Sequence, residues 1–275
     1  MYIFTEISVA DMFKAGIIPG LILATAYVVA IVSMAVFFPG YIGGQDVKSR
    51  AFSDSLEAMS GGQMVRKIAP FVILIVLVLG GIYGGLFTPT EAGAVGAMGA
   101  LFIALVKRKL SRSALWNVLN ETGHIVASIL LLIVAAAMYS RMLAISGLPA
   151  ELGAWIASAE LSLAGILAVY VIILIIMGTI LDTTSIILIM VPLFLPAMAP
   201  YDISLIWFGI VTIFGAEIGL LTPPLGISCY VIKMTLADDS ISLFDIFAGA
   251  FPFAVIMLLV LILLIVFPGI SLVLL

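Results

Sequence analysis

The sequence is short of charge, of cysteine and of basic surface, and each shortage excludes a class of protein. Only 9% of its 275 residues are charged and 64% are hydrophobic, whereas soluble domains carry about 25% charged residues, so water cannot be the solvent for most of its surface. Cys229 is the single cysteine, which excludes an internal disulfide and a cysteine metal cluster. The net charge is −4 and no basic face with interleaved aromatics exists, so nucleic acid is not an expected partner.

Long uncharged runs take the place of charge. They cover residues 15–45, 68–90, 161–181, 218–232 and 246–275. Several reach the roughly 20 residues that a helix needs to cross a bilayer core of about 30 Å. The sequence therefore predicts an all-α integral membrane protein.

The basic residues predict an orientation. The first four spans are predicted at residues 17–38, 68–87, 92–106 and 124–140. The basic loops after the first and third spans should be cytoplasmic by the positive-inside rule, which leaves nine Lys or Arg inside and two, Lys14 and Arg141, outside. Residues 111–122 place apolar side chains on one helix side and are predicted to lie along the cytoplasmic interface.

The second half of the chain contains shorter apolar segments. Residues 146–159 mix glycine, proline, glutamate and tryptophan, which suits an interfacial elbow that need not span. Residues 161–181 and 183–201 flank Asp182 and can form either two full spans or one re-entrant hairpin. The last two crossings are predicted at residues 203–232 and 247–267.

One carboxylate and three hydroxyls meet where two of these apolar segments join: Asp182, Thr183, Thr184 and Ser185. Oxygen-rich clusters of this kind suit a hard cation such as sodium. The alternative is a solvated turn in which Asp182 or Thr183 caps a helix that starts near Ile186. The depth of Asp182 in the membrane decides between the two.

A second candidate is the stretch from Glu217 to Gly226, E-I-G-L-L-T-P-P-L-G. Pro223 and Pro224 supply no backbone N–H and disfavour continued helix. Carbonyls freed by such a break cannot stay unpaired in hydrocarbon, and broken helices in transporters use them as ion ligands. The alternatives are a simple proline kink or a surface loop between two short spans.

A similar string, G-L-F-T-P-T-E-A-G at residues 85–93, separates the second and third spans. It is interpreted as a tight corner in which Glu91 lies in the first turn of the next helix. Gly93, Gly96 and Gly99 recur at three-residue spacing and would let another helix approach closely.

Taken together, these motifs resemble the large membrane subunit of tripartite ATP-independent periplasmic (TRAP) transporters. The resemblance rests on G-G-L-F-T-P-T-E-A at 84–92, M-G-T-I-L-D at 177–182 followed by Pro192 and Pro196, the break at 217–226, and the opening F-K-A-G-I-I-P-G at 13–20. The motifs appear in the family's order and extend over nearly the whole chain.

The resemblance implies a multi-pass protein of the bacterial inner membrane that imports organic acids of the C4-dicarboxylate or sialic-acid type and is not an enzyme. Its expected partners are a periplasmic substrate-binding protein, a small membrane subunit, the lipid bilayer and the organic acid. It implies sodium ions as coupling ions and no covalently bound cofactor. In the implied elevator fold, residues 1–145 supply scaffold-type helices and an interfacial arm, and residues 146–275 supply the hairpin, the broken helix and the final span of the second inverted repeat.

The resemblance also implies a sodium site built from the hairpin tip and the break. Its residues would be Gly178, Asp182, Thr183, Gly219 and Thr222. Thr184, Ser185, Leu220 and Gly226 complete the sodium or substrate neighbourhood, and Pro223 and Pro224 would hold the unwound carbonyls open.

Members of this family are expected to be longer, with a first repeat ahead of Met1, so the chain is interpreted as the C-terminal portion of the subunit. Two alternatives remain open: a different ion-coupled permease that needs no binding protein, and a non-transporting fragment. An intramembrane aspartyl protease using Asp182 and Asp202 is disfavoured, because the Gly-x-Gly-Asp motif is absent from the sequence.

Overall fold

The computed structural model describes residues 8–41, 61–108, 110–158, 162–236 and 241–275, and within these ranges the chain is helical and contains no strand. The α-helices are, in chain order, α1 (Val9–Ala15), α2 (Ile17–Phe37), α3 (Gly61–Tyr83), α4 (Pro89–Val106), α5 (Arg112–Ser146), α6 (Leu148–Ser158), α7 (Leu163–Gly178), α8 (Thr183–Met198), α9 (Leu205–Leu220), α10 (Ile227–Leu236), α11 (Leu243–Val266) and α12 (Gly269–Leu272).

Among the residues that the structure describes, six helical stretches are long and apolar enough to cross a bilayer. They are Val9–Phe37, Met64–Tyr83, Pro89–Val106, Arg112–Ser146, Thr183–Tyr201 and Leu243–Val266. Most of their surface is exposed and apolar, which suits lipid as the solvent. The predicted all-α integral membrane protein is confirmed.

The chain divides into two compact units, Thr25–Gly123 and Met1–Ala24 with His124–Leu275. The sequence predicted a different division, with a scaffold up to residue 145 and a mobile domain after it. Division into compact units does not test which parts move, so that division stays a prediction.

In the unit Thr25–Gly123, α3 and α4 pack together through small residues. A Cβ on Gly96 would lie 3.0 Å from Val78 Cγ2, and one on Gly99 would lie 2.7 Å from Leu74 Cδ2, whereas Gly93 has nothing within 4 Å. Two of the three predicted glycines therefore allow the close approach. The corner before α4 is also as predicted, because Thr88 and Glu91 form a reciprocal capping box that pairs the first amides of the helix.

The interfacial segment predicted at residues 111–122 is not separate from the next span. Both belong to α5, a continuous helix of 35 residues that is about 52 Å long. Gly123 carries a helix cost of only about 1 kcal/mol and does not end the helix. The hydroxyl of Thr122 donates to Val118 O at 2.7 Å, a bond made within the helix.

The predicted elbow at 146–159 is the short helix α6, which follows Gly147 at a φ of 73°. Its 11 residues extend about 16 Å, too little to span a bilayer. It packs against α8. A short non-spanning element is therefore confirmed at this position.

The core of the larger unit lies where α7 meets α9. Tyr170 is fully buried, stacks on Phe208 with ring centroids 4.9 Å apart, and bonds through its hydroxyl to Thr212 Oγ1 at 2.9 Å. Further along, Leu174 covers Gly215. Residue numbers rise together on both helices, so α7 and α9 run parallel, with α8 as the antiparallel connection between them.

The long helix α11 packs against α9 in the opposite direction. Trp207, near the start of α9, donates from Nε1 to Leu264 O at 2.8 Å near the end of α11. At the other end, Phe247 of α11 lies against Gly226, beyond the end of α9. Helix α11 therefore supports α9 along its length and reaches the segment that follows it.

We expect Tyr170→Phe to lower the free energy of unfolding by about 1 kcal/mol, the usual net value of a buried hydrogen bond. The loss stays small because Thr212 keeps its own bond to Phe208 O at 2.7 Å. Unfolding by sodium dodecyl sulfate in mixed micelles measures it. The exposed Tyr230 provides the control Tyr230→Phe, and equal effects of the two changes would contradict the assignment.

Candidate functional site

The tip of the α7–α8 hairpin is a short polar turn. Helix α7 ends at Gly178 and α8 begins at Thr183. The carboxylate of Asp182 caps α8 by accepting from Ser185 N at 3.2 Å, and it also accepts from the Ser185 hydroxyl. The predicted helix start near Ile186 is wrong by three residues, since the capping carboxylate recruits residues 183–185 into the first turn. Of the two caps that the alternative interpretation named, Asp182 and Thr183, the structure has Asp182.

The helix predicted to break does so. Helix α9 ends at Leu220 and α10 begins at Ile227. Pro223 and Pro224 lie in the intervening turn, joined by a cis peptide bond, and neither has an N–H with which to continue the ladder. Residues 221–226 separate the two helices, so the turn interrupts the helix instead of only bending it.

The edges of the break are held by local hydrogen bonds. Thr222 donates from Oγ1 to Ile218 O at 2.8 Å and from its N–H to Gly219 O at 2.9 Å. Gly226, at a φ of 47°, starts the next helix by accepting from Cys229 N at 2.8 Å. The buried thiol of Cys229 points back towards Leu221 O, 3.9 Å away.

The hairpin tip and the break lie against each other. A Cβ on Gly219 would be 2.5 Å from Gly178 Cα and 2.6 Å from Ile175 O, and a Cβ on Gly178 would be 2.6 Å from Ala216 O. The two backbones are therefore in direct contact, which only glycine at both positions permits. A backbone bond from Gly226 N to Thr179 O, 3.0 Å long, joins the far side of the break to the same tip.

A side-chain bond adds a third connection. Thr183, the first residue of α8, donates from Oγ1 to Glu217 Oε1 of α9 at 2.8 Å. Glu217 was missing from the predicted site, although it heads the motif. It is the single charged residue between positions 203 and 232, and a lone charge in an apolar segment is the sequence feature by which it could have been found.

The predicted site residues are brought together in part. Gly178 touches Gly219, Thr183 reaches α9, and Gly226 bonds to the turn of the tip. Asp182 and Ser185 bond to each other, and Thr222 bonds within its own turn. Leu220 is the last residue of α9, and the remaining members, Thr184, Pro223 and Pro224, are exposed at the surface of the tip and the turn.

The chemistry of this region is that of oxygen donors. Its side chains offer hydroxyls and the two carboxylates of Asp182 and Glu217, and its backbone offers the carbonyls at the end of α9. In the part of the chain that the structure describes, no three His, Cys, Asp or Glu side chains cluster as a metal site. Few formal charges and several neutral oxygens suit a hard, singly charged cation, so the residues present fit sodium.

A cavity of about 460 Å³ lies at the other end of the same helices. It is lined by residues near the starts of α7 and α9 and the end of α11, including Leu163, Trp207 and Ile265. Since α7 and α9 run parallel, their starts are a full helix length from the tip and the break. This apolar cavity is therefore separate from the oxygen-rich region.

Comparison with known proteins finds one matching family description and several relatives. The family model described as "Tripartite ATP-independent periplasmic transporter, DctM component" matches residues 1–270. The chain is 34% identical over 269 residues to the C4-dicarboxylate TRAP transporter large permease protein DctM of Pseudomonas aeruginosa, covering 98% of the chain and 60% of that relative.

Two other relatives have different names. The sialic acid TRAP transporter large permease protein SiaM of Vibrio cholerae is 28% identical over 99% of the chain and 61% of its own length. The ectoine/5-hydroxyectoine TRAP transporter large permease protein UehC of Ruegeria pomeroyi is 29% identical over 98% of the chain and 60% of its own length. The chain thus spans about 60% of the length of these curated relatives.

We expect Gly219→Ala to lower the free energy of unfolding by about 1–3 kcal/mol, the usual cost of overpacking, because its methyl group would meet backbone atoms of α7 that cannot rotate away. Unfolding in mixed micelles again measures the change. Gly249→Ala, in α11 with nothing within 4 Å, is the matched control and should be neutral or stabilising by up to about 1 kcal/mol. Equal destabilisation of the two variants would refute the close contact.

Proposed function

Because the chain belongs to the family of DctM components of tripartite ATP-independent periplasmic transporters, we propose that it is part of the large membrane subunit of a sodium-coupled importer of organic acids. The chain is a multi-pass membrane protein of the kind found in the bacterial inner membrane. A transporter component moves its substrate instead of converting it, so no enzymatic activity is proposed.

The observation that carries the sodium coupling is the contact between the hairpin tip and the break. Carbonyl oxygens at the end of α9 and hydroxyls at the start of α8 lie within one small region of otherwise apolar helices. Unwound helices that face a polar partner at depth supply ion ligands in transporters. Gly178, Asp182, Thr183, Gly219 and Thr222 are the residues that we propose to hold the ion, which would supply the driving force for uptake.

The substrate class follows from what the relatives share. Their names include a C4-dicarboxylate, sialic acid and ectoine, and each of these molecules carries a carboxylate. Thr184, Ser185, Leu220 and Gly226 flank the proposed ion residues and are proposed to face the substrate. An organic acid bound beside a sodium ion gains from the attraction between opposite charges.

The partners are proposed from the family as well. A periplasmic binding protein would deliver the organic acid, and a small membrane subunit would complete the membrane part. The chain spans about 60% of the length of the Pseudomonas aeruginosa relative, so the activity and partners of a whole transporter are proposed for it.

We expect uptake of a C4-dicarboxylate or sialic acid to require a sodium gradient. The native polypeptide is reconstituted in proteoliposomes with a small membrane subunit and a binding protein, and uptake of radiolabelled substrate is followed. Replacing external sodium by choline should reduce the initial rate to the background of empty liposomes. Uptake that proceeds equally well in choline would eliminate sodium coupling.

We also expect uptake to require the binding protein. Omitting it from the same proteoliposomes should abolish uptake at low substrate concentration, and adding it back should restore it. Undiminished uptake without the binding protein would instead identify an ion-coupled permease that works alone. Failure to transport under any condition would favour a fragment that does not transport.

A further inference from the structure

Glu217 is an ionisable residue in an apolar segment, where charge is unfavourable. It lies three residues before the end of the apolar helix α9, and its side chain is half-buried. Among the described residues an ion pair joins Lys14 to Asp11, and none is formed by Glu217. A carboxylate in such a place is expensive unless a specific partner receives it, so its one hydrogen bond calls for an explanation.

That partner is Thr183, 34 positions earlier in the chain, at an Oγ1 to Oε1 distance of 2.8 Å. A hydrogen bond to an ionised group is about twice as strong as one between neutral groups. It joins the first residue of α8 to the last turn of α9. The bond therefore connects the hairpin tip to the edge of the break.

The other two connections between tip and break are structural and leave the Thr183 side chain untouched. The contact of Gly178 with Gly219 and the bond from Gly226 N to Thr179 O are made by backbone atoms. They hold the two segments at a fixed distance, but neither touches the Thr183 hydroxyl. The direction of that hydroxyl is set by Glu217.

The direction of the Thr183 O–H bond matters because a threonine hydroxyl has one proton and two lone pairs. When the proton is committed to Glu217, the oxygen can act towards other neighbours only as an acceptor. A hard cation needs oxygen in this form. Outer residues that orient a ligand in this way typically change metal affinity by about 10 to 100-fold.

We propose that Glu217 is a positioning residue. It accepts a hydrogen bond from the Thr183 hydroxyl, and this bond is a latch that holds the hairpin tip against the break. The lone pairs of the Thr183 oxygen are then left free to bind a cation. The ion-orienting part of this inference rests on the proposed function, whereas the latch does not. Glu217 acts through Thr183 and is not itself an ion ligand.

The latch is tested without sodium, by hydrogen exchange of the full protein in choline buffer. The reporter is the segment 221–229, whose Gly226 amide bonds to the tip. Glu217→Ala and Thr183→Val should each speed its exchange about tenfold, and the double variant should be no faster than the faster single. Thr183→Ser keeps the hydroxyl and should restore the slow exchange.

Two matched controls isolate the pair. Thr235→Val removes an exposed hydroxyl that bonds only within its own helix, and Glu151→Ala removes an exposed carboxylate of α6. Both should leave segment 221–229 unchanged. The latch would be overturned if Glu217→Ala or Thr183→Val left the exchange rate of segment 221–229 at its wild-type value. It would also be overturned if the acceleration in the double variant equalled the product of the two single accelerations.

The ion-orienting part is tested by the thermal stabilisation that sodium gives over choline. Glu217→Ala should raise the sodium concentration for half-maximal stabilisation about tenfold, while the control variants Thr235→Val and Glu151→Ala should not. The orienting role would be overturned if Glu217→Ala lowered the unfolding temperature but left the sodium concentration for half-maximal stabilisation unchanged. Wild-type protein without any sodium stabilisation would overturn the proposed sodium site and the orienting role together, and the exchange experiment would still decide the latch.

Discussion

The backbone contact between α7 and α9 is the constraint on which the larger unit depends. Gly178 and Gly219 have no side chains, so the end of one helix rests on the end of the other. Tyr170 and Thr212 keep the same two helices in register two turns earlier. Without this approach, the hairpin tip could not reach Glu217 or Gly226, and the Gly226 N–H would lose its bond to Thr179 O, which is costly in a bilayer.

Much of this architecture could be predicted from the sequence because its causes are local. Pro223 and Pro224 lack the N–H groups that a helix needs, so the break could be placed within a few residues. Thr88 and Glu91 have capping-box spacing, and the capping box is there. The alternative interpretation of the tip, a helix cap at Asp182 or Thr183, also rests on local chemistry, and Asp182 is the cap.

What could not be predicted depends on contacts distant in sequence or on a balance of small energies. Residues 111–122 have the pattern of an interfacial helix, yet nothing at Gly123 is costly enough to separate them from the span that follows. The bond between Thr183 and Glu217 joins residues 34 positions apart, and no local pattern specifies it. Glu217 itself is recognisable in the sequence as a lone ionisable residue in an apolar segment, but its partner Thr183 is not.

The parallel course of α7 and α9 has an electrostatic consequence. Their carbonyl ends arrive at the same place, and the amide ends of α8 and α10 start there too. Peptide dipoles give about half a negative charge to a helix C-terminus and about half a positive charge to an N-terminus. Four helix ends therefore present poles of both signs within one small region. A coupling ion and an organic anion would each meet the pole it prefers, without a lysine or arginine between them.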